Sequence, residues 1–361
     1  MFNFLAFPIH FVVSLEYRGR DSMQKTTIKK IAALSGVSTT TVSYVLNNRP
    51  GISQKTRNLV LRIAEQENYV LNSHSNHQCP KFNIYLIIDE FSSFGSLFYS
   101  TILDSLSITA GKYGYNIIIS NKVSSFRESE IVQAILRGDV DGVILLHDPD
   151  AEAYFFLKQC HVPFVVIDSH TKSADFPRVC VDYDIAAYTA VDHLLSLGHK
   201  KIAFIGQQTV PDFYISTFHG YRKALQTHHV DLRPEWIQTE ACDFESAFNC
   251  MKQILNCDNQ PTAIFCASDL FALASMNCIQ KHGKRVPWDY SVVGIDDLHI
   301  SQIYYPALST IHLDTYEMAF KAIELLSKMV DPDSNHVSQQ TVFLESDSLI
   351  IRESTAPPMA C

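Results

Sequence analysis

The sequence contains no GxGxxG, no GxxxxGKS/T and no GxSxG. Those absences remove the turn that cradles a dinucleotide pyrophosphate, the phosphate loop of nucleotide hydrolases and the nucleophile elbow of doubly wound hydrolases. No Ser/His/Asp grouping can be assembled from the order of residues either, so catalysis is not expected. The nine cysteines are odd in number, scattered, and never spaced as CxxC. That is neither a disulfide framework nor a zinc ribbon, and it fits a reduced cytoplasmic setting. His74, His77 and Cys79 lie close in sequence but lack a fourth ligand, so no metal site is expected there, and no cofactor is expected. The opening stretch MFNFLAFPIHFVVSLEYRGRDSM is apolar, yet no basic residue precedes the apolar run, Pro8 and His10 interrupt it, and no small-residue cleavage site follows. It reads as neither a secretion signal nor a membrane anchor. Residues 1–22 are expected to be a leader outside the folded protein, with translation starting at Met23. No leucine heptads follow Thr355, which argues against a helical tetramerisation tail, and APPMAC reads as a frayed end.

Charge is scarce and unevenly placed. The 361 residues are 47% hydrophobic and 19% charged, a globular composition in a chain long enough for two or three domains. The net charge of −9 argues against indiscriminate binding of polyanions by the whole surface. Between Met23 and Lys81, however, eight basic side chains face only Glu65 and Glu67, a net +6, and the residues beyond Lys81 carry −15. A small basic head precedes a large acidic body.

In the head, TIKKIAALS places Ile28, Ile31, Ala32 and Ser35 at helical spacing, Gly36 ends that helix, and Val37 is a buried spacer. Ser38 is a favourable N-cap for a second helix, TTTVSYVL, which turns Val42, Val45 and Leu46 inward and Thr39, Thr40, Ser43 and Tyr44 outward. A third, SQKTRNLVLRIAEQENY, is capped by Ser53 and stapled by Ile52, with Leu59, Val60, Ile63 and Ala64 as its inner stripe. Two helices joined by a Gly-containing turn, with a third beneath, make a helix-turn-helix. A helix that enters the DNA major groove needs short side chains for close approach and hydroxyls that donate and accept, with cations on its flanks for phosphates. The stretch from Ser35 to Ser53 is hydroxyl-rich and nearly uncharged, and Lys29, Lys55 and Arg57 flank it. The competing reading is a solvated Thr-rich face on an ordinary three-helix unit.

From Phe82 onward the rhythm changes to short Ile- and Val-rich runs: FNIYLIID, YNIIIS, GVILL, PFVVI, KIAFIG, TAIFCASD and SVVGIDD. Between them lie amphipathic helices at 97–113, 128–136, 186–197, 216–228, 246–255 and 269–282. Alternating strands and helices imply parallel sheets covered on both faces, here two doubly wound subdomains with a ligand cleft at the carboxyl ends of their strands.

Residues 26–72, together with VDHLLSLGHKKIAFIG, GYRKAL, PTAIFCASDLFALASM, VPWDYSVVGIDDLHISQIYYPALSTIHL and LIIREST, resemble the bacterial lactose-, galactose- and purine-repressor family, in order, from Thr26 to Thr355. The resemblance implies a small all-α helix-turn-helix head (residues 23–72), a hinge (73–81) and a two-lobed, periplasmic-binding-protein-like α/β body (82–361). The body would divide into an N-subdomain (82–180 and 313–340) and a C-subdomain (181–312 and 341–361). It also implies a homodimer whose heads read a pseudo-palindromic operator. Ser38, Thr39, Thr40 and Tyr44 would face bases, and Thr27, Asn47, Ser53, Lys55, Thr56, Arg57, Tyr69 and Asn72 would meet phosphates. Tyr44 replaces the basic or imidazole residue frequent there and cannot make the bidentate pair of an arginine with guanine, so the operator should differ at that base. Asn76 and Gln78 stand where the hinge usually carries arginine and a wedging leucine. Either the hinge hydrogen-bonds in the minor groove through these amides, or the heads bind with little kinking.

By the same resemblance, a small effector, usually a sugar, would meet Phe98 and Tyr99 in the first strand-to-helix loop, Asp168 after the fourth strand, Phe244 at a stacking position, and Asp296. Thr217 and Ser268 replace an arginine and an asparagine of the family pattern, and the loss of that arginine removes a rigid five-donor fork. His147, after GVILL, is a further candidate. Asp296 as a turn cap and Phe98 as core are the structural alternatives. The expected function is therefore an effector-controlled transcription factor, a repressor of carbohydrate-utilisation genes, with operator DNA and a sugar as partners and no membrane. The alternatives are a stand-alone solute-binding protein, against which the basic head argues, and a regulator that responds to a non-sugar metabolite.

Overall fold

The computed structural model describes residues 28–46, 52–66, 83–88, 97–121, 126, 129–171, 175–208, 210–330, 340–346 and 348–359. The chain divides into two compact units, residues 1–78 and 79–361. In the first unit, α1 (Ile28–Ser35), α2 (Thr39–Leu46) and α3 (Gln54–Gln66) enclose a small core of Ile31, Ala32, Val42, Val45, Val60 and Ala64. Gly36 takes φ +69°, the left-handed turn that glycine adopts at no steric cost, and so lets α2 start at an angle to α1. The Ser38 hydroxyl accepts from the Thr41 N–H at 3.0 Å and Ser53 caps α3 through Thr56 N–H at 3.3 Å, each satisfying a backbone donor that the first helical turn leaves open. Leu59, expected in the inner stripe of α3, is 44% exposed; Val60 and Ala64 alone point fully inward, one position round the helix.

In the second unit the chain first builds β1 (Asn83–Ile88), α4 (Leu97–Lys112), β2 (Asn116–Asn121), α5 (Glu130–Leu136), β3 (Gly142–Leu146), α6 (Ala151–Gln159), β4 (Phe164–Ile167) and β5 (Arg178–Val181). Every residue of β3, β4 and β5 is buried, which is why these strands read as unbroken apolar runs rather than alternating ones. After Asp182 the chain crosses into a second lobe of α7 (Tyr183–Ser196), β6 (Ile202–Ile205), α8 (Pro211–Thr227), β7 (Ile237–Gln238), α9 (Phe244–Leu255), β8 (Ala263–Cys266), α10 (Asp269–Lys281), β9 (Ser291–Asp296), α11 (His299–Ile303) and β10 (Ser309–His312). It returns through α12 (Thr315–Val330) and β11 (Thr341–Leu344) to the first lobe and ends in β12 (Leu349–Ile350) in the second.

The two six-stranded sheets run β11-β5-β4-β3-β1-β2 and β12-β10-β9-β8-β6-β7. All pairings are parallel except β12 against β10. Three crossings, at Asp182, at 313–314 and between Leu344 and Leu349, join the lobes. Because Thr341–Leu344 pairs with Arg178–Val181, the first lobe extends to residue 344, and the expected assignment of 341–361 to the C-subdomain is corrected: only β12 and the segment after it belong there. Two helices also start earlier than their apolar pattern suggested. Asp182 caps α7 by accepting from Asp184 and Ile185 N–H, and Pro211, preset for a first helical turn, opens α8.

Candidate functional site

The two elements of interest are the outer face of α2 and a cavity at the carboxyl ends of the body strands. On α2, Thr39 and Thr40 are exposed, as is the capping Ser38. Lys55 is exposed on α3, while a guanidinium nitrogen of Arg57 lies 3.4 Å from the carbonyl of Val45. Arg57 thus ties α3 to the carboxyl end of α2, where a cation also complements the helix dipole. Thr56 is half-buried, its hydroxyl 2.9 Å from that of Ser53. The Tyr44 side chain, Thr27, Asn47, Tyr69, Asn72, Asn76 and Gln78 lie outside the described residues.

In the body a cavity of about 370 Å³ opens between the lobes, in the range for a small ligand. Of the residues expected there, Phe98, Tyr99, His147, Asp168, Ser268 and Asp296 line it. Phe98 and Tyr99 belong to the first turn of α4 rather than to a loop. Two expected residues do not line it. Thr217 is buried within α8, its hydroxyl donating back to the Phe213 carbonyl at 3.0 Å, and Phe213, one turn earlier, faces the cavity instead. Phe244 opens α9 with 41% of its surface exposed, while the preceding Cys242 and Asp243 reach the cavity.

Asp168 is the centre of the first-lobe wall. Its carboxylate is 1% exposed and accepts from Tyr99 Oη at 2.7 Å and Tyr183 Oη at 2.8 Å. Burial opposes its ionisation, but the imidazoles of His170 and His147 and the two tyrosine hydroxyls outweigh it and hold its pKa below the usual carboxylate value. Around it the rings of Phe98, Tyr99, His147, His170, Tyr183 and Phe213 follow one another with centroids 4.7–5.7 Å apart, a collar of edge-to-face and tilted contacts. Burial, then the charges of Asp168 and Asp296, pushes the Tyr183 hydroxyl well above its ordinary pKa, so it remains a donor.

Asp296, across the cavity, behaves oppositely. It keeps some surface toward the cavity but lies deep among protein atoms, and burial, followed by the nearby charges of Asp269 and Asp168, raises its pKa well above the ordinary value. Its neighbour Asp269 is fully buried, accepts from Leu298 N–H at 2.9 Å and Ser301 Oγ at 2.6 Å, and is pushed up to about 7 by burial. The two walls therefore differ: Asp168 is held as an acceptor, while Asp296 is biased toward its protonated, donating form. His147, Asp168 and Asp296 all have positive φ (78°, 59° and 127°), backbone conformations that cost a non-glycine residue about 1–3 kcal/mol and gather at ligand-binding sites. Among the described residues, no lysine or arginine lines the cavity.

His170, Tyr183 and Phe213 were not anticipated. The sequence held one usable signal, the DSH of VVIDSH, which puts His170 two residues beyond Asp168 on the same strand exit.

A helix-turn-helix head on a two-lobed body with a ligand-sized cavity at its strand ends defines a ligand-responsive DNA-binding regulator. Residues 27–72 match the family of bacterial regulatory proteins described as the lacI family, and residues 191–355 match the periplasmic binding protein-like domain. Catabolite control protein A of Priestia megaterium is 30% identical over 313 residues, covering 85% of this chain and 93% of that protein. Among solved structures, the Lac repressor dimer bound to operator and the anti-inducer ONPF superposes with a TM-score of 0.74 at 25% identity over 92% of this chain and all of that one. The transcriptional regulator CelR–cellobiose complex superposes with a TM-score of 0.67 at 25% identity over 91% of this chain and all of that one. The chain belongs to the lacI family of bacterial regulatory proteins. It is a DNA-binding transcriptional regulator with an effector-binding body, not an enzyme. Among the described residues no helix is long and apolar enough to cross a membrane.

Proposed function

We propose that this protein is a cytoplasmic homodimeric repressor of carbohydrate-utilisation genes, whose effector is an uncharged polyhydroxy ligand of the sugar class held in the body cavity. The carrying observation is the composition of that cavity: an acceptor, Asp168, held by two tyrosine hydroxyls, a carboxyl biased toward its donating form, Asp296, an aromatic collar, and no lysine or arginine among the described lining residues. An aromatic face packs the C–H side of a pyranose while the carboxyl groups exchange hydrogen bonds with its hydroxyls. Carboxylated or phosphorylated ligands would meet Asp168 and Asp243 with no lysine or arginine among the described lining residues to pair them. The complex of a similar regulator with cellobiose supports the same class. For control of DNA binding, the ligand must favour one arrangement of the lobes over another, since equal affinity shifts nothing.

Selection from random duplex DNA with protein starting at Met23 tests the DNA half. A two-fold symmetric site is the expected product, and enrichment of isolated half-sites would remove the dimeric reading. Calorimetric titration with neutral mono- and disaccharides, their phosphates and nucleobases tests the ligand half; binding of a phosphate or nucleobase in place of every neutral sugar overturns it. On the selected site, Lys55→Ala is expected to weaken binding about equally for all sequences and to lower the slope of log affinity against log salt by about 1. Thr40→Ala should instead relax the preference at one base position.

A further inference from the structure

We propose that His147, Asp168 and His170 form a site for one divalent transition-metal ion of the zinc class on the first-lobe wall of the cavity. One ligand atom from each of the three lies within 4.8 Å of the others. His170 Nε2 stands 3.6 Å from Asp168 Oδ2, too far for a good hydrogen bond. Two donors on one zinc ion, with bonds of about 2.0–2.2 Å at the tetrahedral angle, are roughly 3.3–3.6 Å apart.

The backbone fixes all three. His147 and Asp168 leave the adjacent strands β3 and β4, with His147 N–H donating to the Ile167 carbonyl at 3.0 Å and Asp168 N–H to that of Val179 at 2.9 Å. His170 sits on a loop gathered by Asp148, whose carboxylate accepts from the N–H of His170 at 3.1 Å and of Thr171 at 3.0 Å. Its ring packs against Tyr183 and Phe213.

The hydroxyls set which lone pairs are left for a metal ion. Tyr99 has one proton and gives it to Asp168 at 2.7 Å, so at 3.2 Å from His147 Nδ1 its oxygen acts as acceptor. That selects the Nδ1–H tautomer of His147 and leaves the basic lone pair on Nε2. Tyr183 holds the other carboxylate oxygen, and Asp168 Oδ2 retains a second lone pair beside its bond to Tyr99. Two neutral imidazoles and one carboxylate, each oriented by a further hydrogen bond or ring contact, suit zinc, cobalt or nickel rather than magnesium or calcium. Three protein ligands leave coordination positions open toward the cavity.

Full-length protein stripped with chelator and titrated with Co²⁺ provides the test. One Co²⁺ per chain is expected, with visible ligand-field absorption that Zn²⁺ displaces. His147→Ala and His170→Ala should each abolish the band, Tyr99→Phe should weaken binding roughly 10- to 100-fold, and His228→Ala, at the exposed end of α8, should leave it unchanged. If an alanine variant fails to fold, His170→Gln gives the same reading. No absorption with wild-type protein, or a band that survives in a folded His147→Ala/His170→Ala variant, overturns the proposal. Operator and sugar binding are measured without metal, so their success or failure is separate from this one.

Discussion

Gly220→Ala is expected to cost about 3 kcal/mol of stability, lowering the apparent melting temperature by roughly 6–12 °C. Gly220 lies in α8 where that helix crosses α7, and a Cβ there would stand 2.2 Å from the carbonyl oxygen of Asp184, 2.9 Å from Ala187 Cβ and 2.9 Å from the Tyr188 nitrogen. Two of those three atoms are backbone of a buried helix, so neither can rotate away. The helices must separate, and separation uncovers Ala187, Val191, Tyr221 and Ala224, all fully buried. The same substitution at Gly111, a helical glycine of α4 with nothing within 4 Å of a built Cβ, should instead stabilise by about 0.5 kcal/mol through lost chain entropy. Thermal melts of the two variants beside wild type decide the matter. Equal melting of Gly220→Ala and wild type would mean that the close crossing of α7 and α8 is not a constraint.

Gly220 also shows what was legible in the sequence. The GY pair was readable as part of a family pattern, but one chain carries no sign that the missing side chain makes room for a carbonyl of another helix. Strands were the easiest elements to read, because both faces of β3, β4 and β8 are covered and their residues are therefore continuously apolar. The strands that went unread, β5, β7, β10, β11 and β12, are two to four residues long and, β12 apart, include polar residues such as Arg178, Gln238, Ser309 and Thr341, so no apolar run marks them. The lobe to which β11 belongs was misassigned for a related reason: after α12 the chain can return to either sheet, and only pairing with β5 decides.

For the cavity, the residues at strand exits were found, namely His147, Asp168, Ser268 and Asp296, since a strand end fixes where the next side chain emerges. Residues on helices fared worse. Along α8 a shift of one turn exchanges Phe213 for Thr217, and at the start of α9 one position exchanges Asp243 for Phe244. The opposite pKa shifts of Asp168 and Asp296 were not readable at all, since they depend on burial and on neighbours distant in sequence.

That opposition carries the second large effect. Asp168→Ala is expected to weaken binding of the sugar selected in titration by roughly 10- to 150-fold, the loss of a hydrogen bond to a charged group worth about 1.5–3 kcal/mol. Asp296→Asn, which keeps a neutral donor in place of the protonated carboxyl, should change affinity only a few-fold at pH below the raised pKa of Asp296, whereas Asp296→Ala should there match Asp168→Ala. The pH dependence separates the two carboxyl groups by sign. Asp296 has a raised folded-state pKa, so its donor form persists above the ordinary carboxylate range and is lost as pH rises through that raised value; wild-type affinity falls there and Asp296→Asn affinity does not. Asp168 has a lowered one, so its acceptor form persists below the ordinary carboxylate range and is lost only in stronger acid. Folding follows the same linkage without any ligand. Between the ordinary carboxyl pKa and the raised one of Asp296, the native state binds the proton that the unfolded chain releases, so this group's stabilising share declines as pH rises. Asp296→Asn should flatten that part of the slope in urea midpoints. An Asp296→Asn protein whose ligand affinity and urea midpoint both track wild type across the pH range would show that Asp296 is ionised in the folded protein, and the donor assigned to it would have to come from elsewhere in the cavity.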